Sequence, residues 1–216
     1  PSLVTGSAVY TDDAAPRDCL HLAFLRSPHG FAKITALDAS GAEAEPGVRL
    51  VLSHKNVDRI FYTTAGQGYP EPSPYDCCLF DTVMRFVGDI AAAVVADSRE
   101  AAEKACGRIR VTYEPLTPVF DPREALKPGS PVLHPEPQAR AMIPVPYEPL
   151  RNMPALIDVE VGDFEKAYRE SPARIERTYA SHQSSHCAME PHAAFARFDE
   201  TGRIDRKGVV EGKGVD

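Results

Sequence analysis

The chain has 216 residues, of which 43% are hydrophobic and 25% are charged, as in an ordinary globular protein with an apolar core. Its 24 basic and 31 acidic residues leave a formal charge of -7, and the basic residues are scattered rather than grouped. This pattern argues against nucleic acid and anionic membranes as partners, and no apolar run approaches the roughly 20 residues of a membrane-spanning helix.

The cysteine content bears on the compartment. Five cysteines are an odd number in a chain large enough to fold without disulfides, which favours reduced thiols and a cytoplasmic location. Cys77 and Cys78 are adjacent and lack the two-residue spacing of a zinc pair. No signal peptide is visible, and the missing initial Met leaves open whether a segment precedes Pro1.

The first part of the chain alternates short strands with turns. Hydrophobic alternation predicts strands at 19–26, 32–38 and 48–52, with a short helix at 39–44. A buried strand at 90–96 then precedes a helix, and residues 97–100 resemble a capping box at its start. A further strand at 109–114 completes a packed unit of strand, helix and strand.

Two later segments break this periodicity. Residues 53–76 are rich in glycine and proline and predict a surface loop, which carries the aromatic residues Phe61, Tyr62 and Tyr69. Residues 116–156 hold about half of the chain's 20 prolines and predict an extended linker after a domain boundary near residues 113–118. Order resumes with a helix at 164–170 and a hairpin-like pair of strands at 174–179 and 193–198.

Several stretches occur in the order found in one enzyme family. They are Thr5-Gly6-Ser7-Ala8-Val9-Tyr10-Thr11-Asp12-Asp13, Arg26-Ser27-Pro28-His29-Gly30-Phe31-Ala32, Pro46-Gly47-Val48, Val87-Gly88-Asp89, Val94-Val95-Ala96-Asp97, Ala101-Ala102, Val111-Thr112-Tyr113-Glu114-Pro115-Leu116, Gly162-Asp163, Tyr179 and His186-Cys187-Ala188-Met189-Glu190-Pro191-His192. Taken together, they resemble the N-terminal part of the molybdenum-cofactor-binding subunit of the xanthine dehydrogenase and aldehyde oxidase family.

The resemblance implies an α+β fold in four parts. These are an α/β hammerhead domain at 1–115, the proline-rich linker at 116–156, the start of a molybdopterin-binding domain at 157–202, and an atypical polar tail at 203–216. The complete subunit of this family holds a molybdopterin cofactor and hydroxylates an aldehyde or an aromatic heterocycle, with water as the oxygen source. Its expected partners are the remainder of the subunit and iron-sulfur and FAD subunits or domains, and a homo-oligomer is left open.

The resemblance also implies what this sequence does not contain. The family's glutamate base and its glycine-rich cofactor loops correspond to positions beyond Asp216, so we expect no catalytic, cofactor-binding or metal residue here, no bound cofactor and no activity in this fragment. A truncated gene, a frameshift or an artificial tail would explain the polar residues after Gly202. The alternative function is a non-catalytic assembly or scaffolding module, because an unfinished sheet leaves an edge ready to pair.

Two sets of residues are the candidates for a functional role. Phe61, Tyr62 and Tyr69 are assigned to a loop beside the substrate channel, where flat aromatic faces suit a flat substrate. His186 and Glu190 belong to a structural motif of the cofactor domain. A metal site that adds His182 and His192 is the alternative, but Pro191 argues against the continuous helix of a zinc protease.

Overall fold

The computed structural model describes residues 2–64, 73–141, 144–182, 184–185, 187–188, 190 and 192–208. The chain forms two compact units. Leu20–Glu165 make the larger unit, and Pro1–Cys19 together with Lys166–Asp216 make the smaller one. No helix among the described residues combines the length and apolarity that crossing a bilayer requires.

The larger unit contains two three-stranded sheets. The strands are β1 (His21–Arg26), β2 (Ala32–Asp38), β3 (Val48–Ser53), β4 (Val83–Met84), β5 (Ile90–Ala96) and β6 (Arg110–Pro115). The first sheet has the order β1-β5-β3 and the second β4-β2-β6, and all four pairings are antiparallel. The architecture is α+β, as predicted.

Strand β5 forms the centre of the core. Its small and β-branched residues are almost all buried, and Ala91, Ala92 and Ala93 expose no measurable surface. Helix α4 (Arg99–Cys106) lies against this sheet through Ala102 and Ala105. Because alanine adds little bulk to either surface, the helix and the sheet can pack closely.

The predicted elements of this unit are confirmed, with one detail changed at the start of α4. The Ser98 hydroxyl accepts a hydrogen bond from the Ala101 amide at 3.2 Å and caps the helix. Glu100 lies one position too early to complete a capping box, so only the serine half of the predicted motif forms. The chain then leads from β5 in the first sheet to β6 in the second, so α4 connects the two sheets.

Short helices complete the chain. They are α1 (Ser2–Thr5), α2 (Thr11–Ala14), α3 (Ser40–Glu43), α5 (Pro122–Ala125) and α6 (Phe164–Glu170), with one 3-10 turn at Pro149–Arg151. The predicted helices at 39–44 and 164–170 are thus confirmed as α3 and α6.

The hairpin of the smaller unit differs from the prediction. Residues 174–179 form no strand, and β7 (Ala194–Phe198) pairs antiparallel with β8 (Ile204–Gly208). A tight turn explains this choice, because the Asp199 carboxylate accepts hydrogen bonds from the Thr201 and Arg203 amides at 2.8 and 2.9 Å. Gly202 supplies the positive φ of 79° that closes the turn.

The first residues of the segment predicted as an atypical polar tail, 203–216, take part in this hairpin. The exposed side chains of Arg197 and Asp205 pair across the hairpin, with Arg197 Nε donating to the Asp205 carboxylate at 3.1 Å, so polar residues do not exclude a strand here. Residues 204–208 form β8, whereas 209–216 lie outside the described residues.

Met84 provides a test of the core, because its side chain is fully buried between the sheets. We expect Met84→Ala to lower the free energy of unfolding by about 2–5 kcal/mol through lost apolar contact and a residual cavity. The matched control Val87→Ala, at a side chain that is 68% exposed, should change it by less than about 0.5 kcal/mol. Urea denaturation measures both, and equal losses would contradict this placement of the core.

Candidate functional site

The loop predicted at 53–76 is closed at its base. Tyr62 donates its amide hydrogen to the Cys77 carbonyl at 2.9 Å, and Cys77 donates back to the Tyr62 carbonyl at 3.2 Å. This backbone pair therefore holds the two limbs of the loop, residues 54–64 and 73–81, in a fixed position relative to each other. Tyr69 lies outside the described residues.

Two of the three residues predicted to lie beside a substrate channel, Phe61 and Tyr62, are at this base. The Arg59 guanidinium carbon lies 4.9 Å from the centre of the Phe61 ring, within range of a cation–π contact. Tyr62 is 39% exposed. Burial, followed by the neighbouring Cys77 and Asp89, raises the pKa of Tyr62 above its ordinary value of 10. Both rings are held by the fold, with part of the Tyr62 surface open to a ligand.

A buried ion cluster, which the sequence did not predict, lies beside the loop. Arg85 donates to the Asp81 carboxylate at 2.9 Å, to the Leu133 carbonyl at 2.7 Å and to the Glu136 carboxylate. The Arg85, Asp81 and Glu136 side chains are only 10%, 7% and 8% exposed. Arg59 bonds the same two carboxylates at 3.1 Å each. We call Arg59, Asp81, Arg85 and Glu136 the Arg85 cluster.

Charge pairing favours the ionised form of Asp81 despite its burial. Burial alone would raise the pKa of Asp81, but hydrogen bonds from Arg59 and Arg85 outweigh it and hold that pKa below its usual range. The second oxygen of Glu136, Oε2, is buried and has no hydrogen-bond partner, and His134 Nδ1 lies 3.9 Å from it. The buried Tyr147 hydroxyl also has no hydrogen-bond partner, and the negative charges of Asp76 and Glu136 act on it.

The cluster joins the loop to the proline-rich segment. Tyr75 donates to the Arg140 carbonyl at 2.8 Å, and Arg140 donates back at 3.4 Å. His134 Nδ1 lies 3.1 Å from the Asp76 carbonyl oxygen. We call residues 131–140 the strap, because this stretch lies along the outgoing limb of the loop at 73–81.

Asn152 holds the far end of the strap. Its side chain accepts a hydrogen bond from the Leu133 amide at 2.8 Å and donates to the Pro131 carbonyl at 2.9 Å and the Ala125 carbonyl at 3.0 Å. Its backbone has a φ of 54°, the left-handed conformation that asparagine tolerates better than most residues. The segment predicted as an extended linker is thus held by specific contacts at both ends of the strap.

Glu190 has a contact of its own within the smaller unit. Its Oε1 atom accepts a hydrogen bond from the Thr11 amide at 2.8 Å, at the start of α2. Asp13 accepts from the Tyr10 amide at 3.0 Å, so two free amides of this short helix are satisfied by carboxylates. His186 lies outside the described residues, and in the part of the chain that the structure describes no three His, Cys, Asp or Glu side chains could hold a metal ion.

The protonation of His134 links the strap to pH. Burial lowers the pKa of His134 below its ordinary value of 6.5, and the positive charge of Arg85 adds to this, whereas Asp76 and Glu136 oppose it. The unfolded chain therefore binds the proton more readily. Stability is full above about pH 6.5 and falls as the pH drops toward the lower folded pKa, with about 1.4 kcal/mol lost per unit of pKa difference.

We therefore expect His134→Gln to weaken the loss of stability between about pH 7 and pH 5, as measured by urea denaturation across that range. Asp81 does not interfere, because its lowered pKa makes its own contribution fall only below its ordinary value of 3.8. His54→Ala is the control, since the pKa of His54 is also lowered by burial, and that variant should keep the share due to His134. An unchanged pH slope in His134→Gln would refute the assignment.

Comparison with known proteins identifies the family of this chain. Residues 5–117 match the family described as "Aldehyde oxidase and xanthine dehydrogenase, a/b hammerhead domain", and residues 147–206 match the family described as "Molybdopterin cofactor-binding domain". The first match alone spans more than half of the chain. The first match includes the loop with Arg59, Asp81 and Arg85, and the second includes the segment with Glu190, whereas Glu136 lies between the two matches.

Individual relatives agree with the family matches. The chain is 40% identical to "Probable hypoxanthine oxidase XdhD" of Escherichia coli K12 over 91% of its own length and 23% of the relative. It is 29% identical to "Nicotinate dehydrogenase large molybdopterin subunit" of Eubacterium barkeri, over 93% of the chain and 43% of the relative.

A solved structure supports the fold. The aldehyde oxidoreductase of Desulfovibrio desulfuricans superposes with a TM-score of 0.72 at 26% identity, covering 96% of this chain and 22% of that one. The chain thus spans about a quarter of the Escherichia coli and Desulfovibrio proteins that it matches. It belongs to the aldehyde oxidase and xanthine dehydrogenase family of molybdenum hydroxylases, of which it carries the α/β hammerhead domain and a match to the molybdopterin cofactor-binding domain.

Proposed function

We propose that the complete polypeptide hydroxylates a nitrogen-containing aromatic heterocycle, with water as the oxygen source. The observation that carries this proposal is the 40% identity to a probable hypoxanthine oxidase, which extends over 91% of the chain. The relative named for nicotinate, another nitrogen heterocycle, points to the same substrate class. An aldehyde substrate, the other class of this family, has weaker support from the relatives, since the aldehyde oxidoreductase is only 26% identical.

The described residues of this chain do not form a site for the cofactor of this reaction. Between residues 157 and 205, nearly every side chain that the structure describes is exposed, and none of the buried polar atoms described there lacks a hydrogen-bond partner. These residues therefore form no enclosed cradle for a molybdopterin, and Glu190 is already engaged by Thr11. We propose that the cofactor site and the proton-accepting base are supplied by parts of the complete enzyme other than the residues described here.

We assign this chain a role in substrate approach, through the base of the aromatic loop. Phe61 and Tyr62 present ring surfaces whose positions are set by Arg59 and by the backbone pair with Cys77. Rings held in place lose little conformational entropy when a flat substrate stacks on them. The predicted domain boundaries, the iron-sulfur and FAD partners and a cytoplasmic location belong to the same proposal.

A second function, an assembly module, is favoured by one surface. Leu22, Phe24 and Leu50 are 43–49% exposed although they lie in strands. Leu22 and Leu50 flank Val95 in register, and Phe24 flanks Ala93, so these side chains share the sheet face opposite α4. A continuous apolar face of this kind is typical of a surface that another domain or protein covers.

Metal and pterin analysis of the isolated chain tests where the cofactor site lies. We expect the purified 216-residue chain to contain neither molybdenum nor pterin above trace levels, because its described residues form no cradle. Elemental analysis by mass spectrometry and fluorescence of oxidised pterin measure this directly. Stoichiometric cofactor in the purified chain would contradict the account and favour a chain that binds the cofactor by itself.

Kinetics of the complete enzyme test the role in substrate approach. We expect replacement of Phe61, Tyr62 and Tyr69 together by alanine to lower kcat/KM for heterocyclic substrates by about two- to tenfold, equivalent to aromatic contacts worth about 0.5–1.5 kcal/mol. Molybdenum content should stay intact. Phe120→Ala, at an 85% exposed ring in the proline-rich segment, is the matched control and should leave kcat/KM unchanged. Unchanged kinetics in the triple variant for every accepted substrate would end this proposal.

A further inference from the structure

The Arg85 cluster connects two segments that are far apart in sequence. Asp81 and Arg85 follow the aromatic loop, whereas Glu136 lies in the strap about 50 residues later. Arg59 in the incoming limb bonds both carboxylates, so the cluster touches the loop on both sides of its closed base. Burying these charged groups costs free energy, and a segment that only connected domains would not need them.

The contacts between loop and strap depend on this charge pairing. Apart from the cluster, the described contacts that join residues 73–81 to the strap are the Tyr75–Arg140 backbone pair and the His134–Asp76 hydrogen bond. Backbone pairs of this kind contribute little when they are open to solvent. Besides Asn152 at its far end, the strap therefore depends on the bonds of Arg85 to Glu136 and to the Leu133 carbonyl, because loss of Glu136 would leave a buried charge unpaired.

We propose that Glu136 is a positioning residue for the aromatic loop, and that the strap acts as a latch that opens locally while the two sheets stay folded. In the closed latch, Glu136 and Arg85 hold the outgoing limb at 73–81 against the strap. In the open latch, residues 131–140 leave the limb, and the base of the loop loses its brace. This inference concerns the fold of the chain and holds whether or not the proposed substrate class is right.

The cysteines of the chain are placed so that they report on this opening separately from unfolding. Cys77 and Cys78 lie half-buried on the limb beneath the latch, and the charges of Arg59, Asp81, Arg85 and Glu136 all act on Cys78. Burial, followed by the charge of Asp76, raises the pKa of Cys77 to about 11, which suppresses its reaction with alkylating reagents. Cys106, the last residue of α4, is buried in the core, and Cys187 is exposed.

Site-resolved alkylation of the whole chain under native conditions, read by mass spectrometry, is the test. Glu136→Gln keeps the shape of the side chain but removes its charge. We expect this change to accelerate labelling of Cys77 and Cys78 by about tenfold or more, because a buried Arg85 loses a charged partner. Labelling of Cys106 should stay at the wild-type rate, and Cys187 should react at the same fast rate in both proteins.

A matched control and a milder variant complete the design. Glu124→Gln removes a carboxylate of the same proline-rich segment from an exposed pair with Lys127, and it should leave all rates unchanged. Arg59→Gln removes the more exposed cation of the cluster and should accelerate Cys77 and Cys78 in the same direction by a smaller factor. If Glu136→Gln does not fold, Arg59→Gln carries the test.

The outcomes are distinct. Selective acceleration at Cys77 and Cys78 supports a latch. Equal acceleration at Cys106 would show that the cluster only stabilises the whole domain, and unchanged rates at every cysteine would show that the limb does not depend on it. Either of these two results overturns the proposal, and neither bears on the substrate class of the complete enzyme.

Discussion

The Arg85 guanidinium is the point at which the larger unit ties its loop and its proline-rich segment to its sheets. It follows β4 directly, so its backbone is fixed by Met84 in the core, and its amide donates to Asp89 at 2.9 Å. From this fixed position it bonds two carboxylates and two carbonyl oxygens, those of Val83 and Leu133. The fork of donors on arginine suits such a task, which the single ammonium group of lysine could not perform.

Buried ion pairs of this kind contribute specificity more than net stability. Removing charges from water costs several kcal/mol for each ion, and the pairing and hydrogen bonds largely offset that cost. The cluster disfavours any conformation of the chain in which Arg85 is buried without Glu136 beside it. A proline-rich segment has few backbone donors and no regular pairing of its own, so a charge contact is an efficient way to give it one position. The charge contacts therefore explain why the proline-rich segment has a defined position beside the loop. Its described helical turns are only four and three residues long.

The sequence predicts the sheets and α4 well, because their signals are local. Alternation over β1 and β2, the apolar run of β5 and the serine before α4 each lie within a few residues. The Arg85 cluster leaves no such signal, since nothing in the spacing relates Arg85 to Glu136. A charged pair flanking Val83–Met84, together with a histidine and a glutamate among prolines, was the only hint. The hairpin pairing was predicted wrongly for a different reason: the local turn at Asp199 and Gly202 outweighed the hydrophobic patterning that favoured residues 174–179.

The position of the strap on the loop depends on direct coupling between Arg85 and Glu136, which a double-mutant cycle measures. Free energies of unfolding of the wild type, Arg85→Gln, Glu136→Gln and the double variant give the interaction energy, with Met84 and the remainder of the core unchanged. We expect the sum of the two single losses to exceed the loss in the double variant by about 1–3 kcal/mol, as for residues in one buried network. Losses that add within about 0.5 kcal/mol would contradict it.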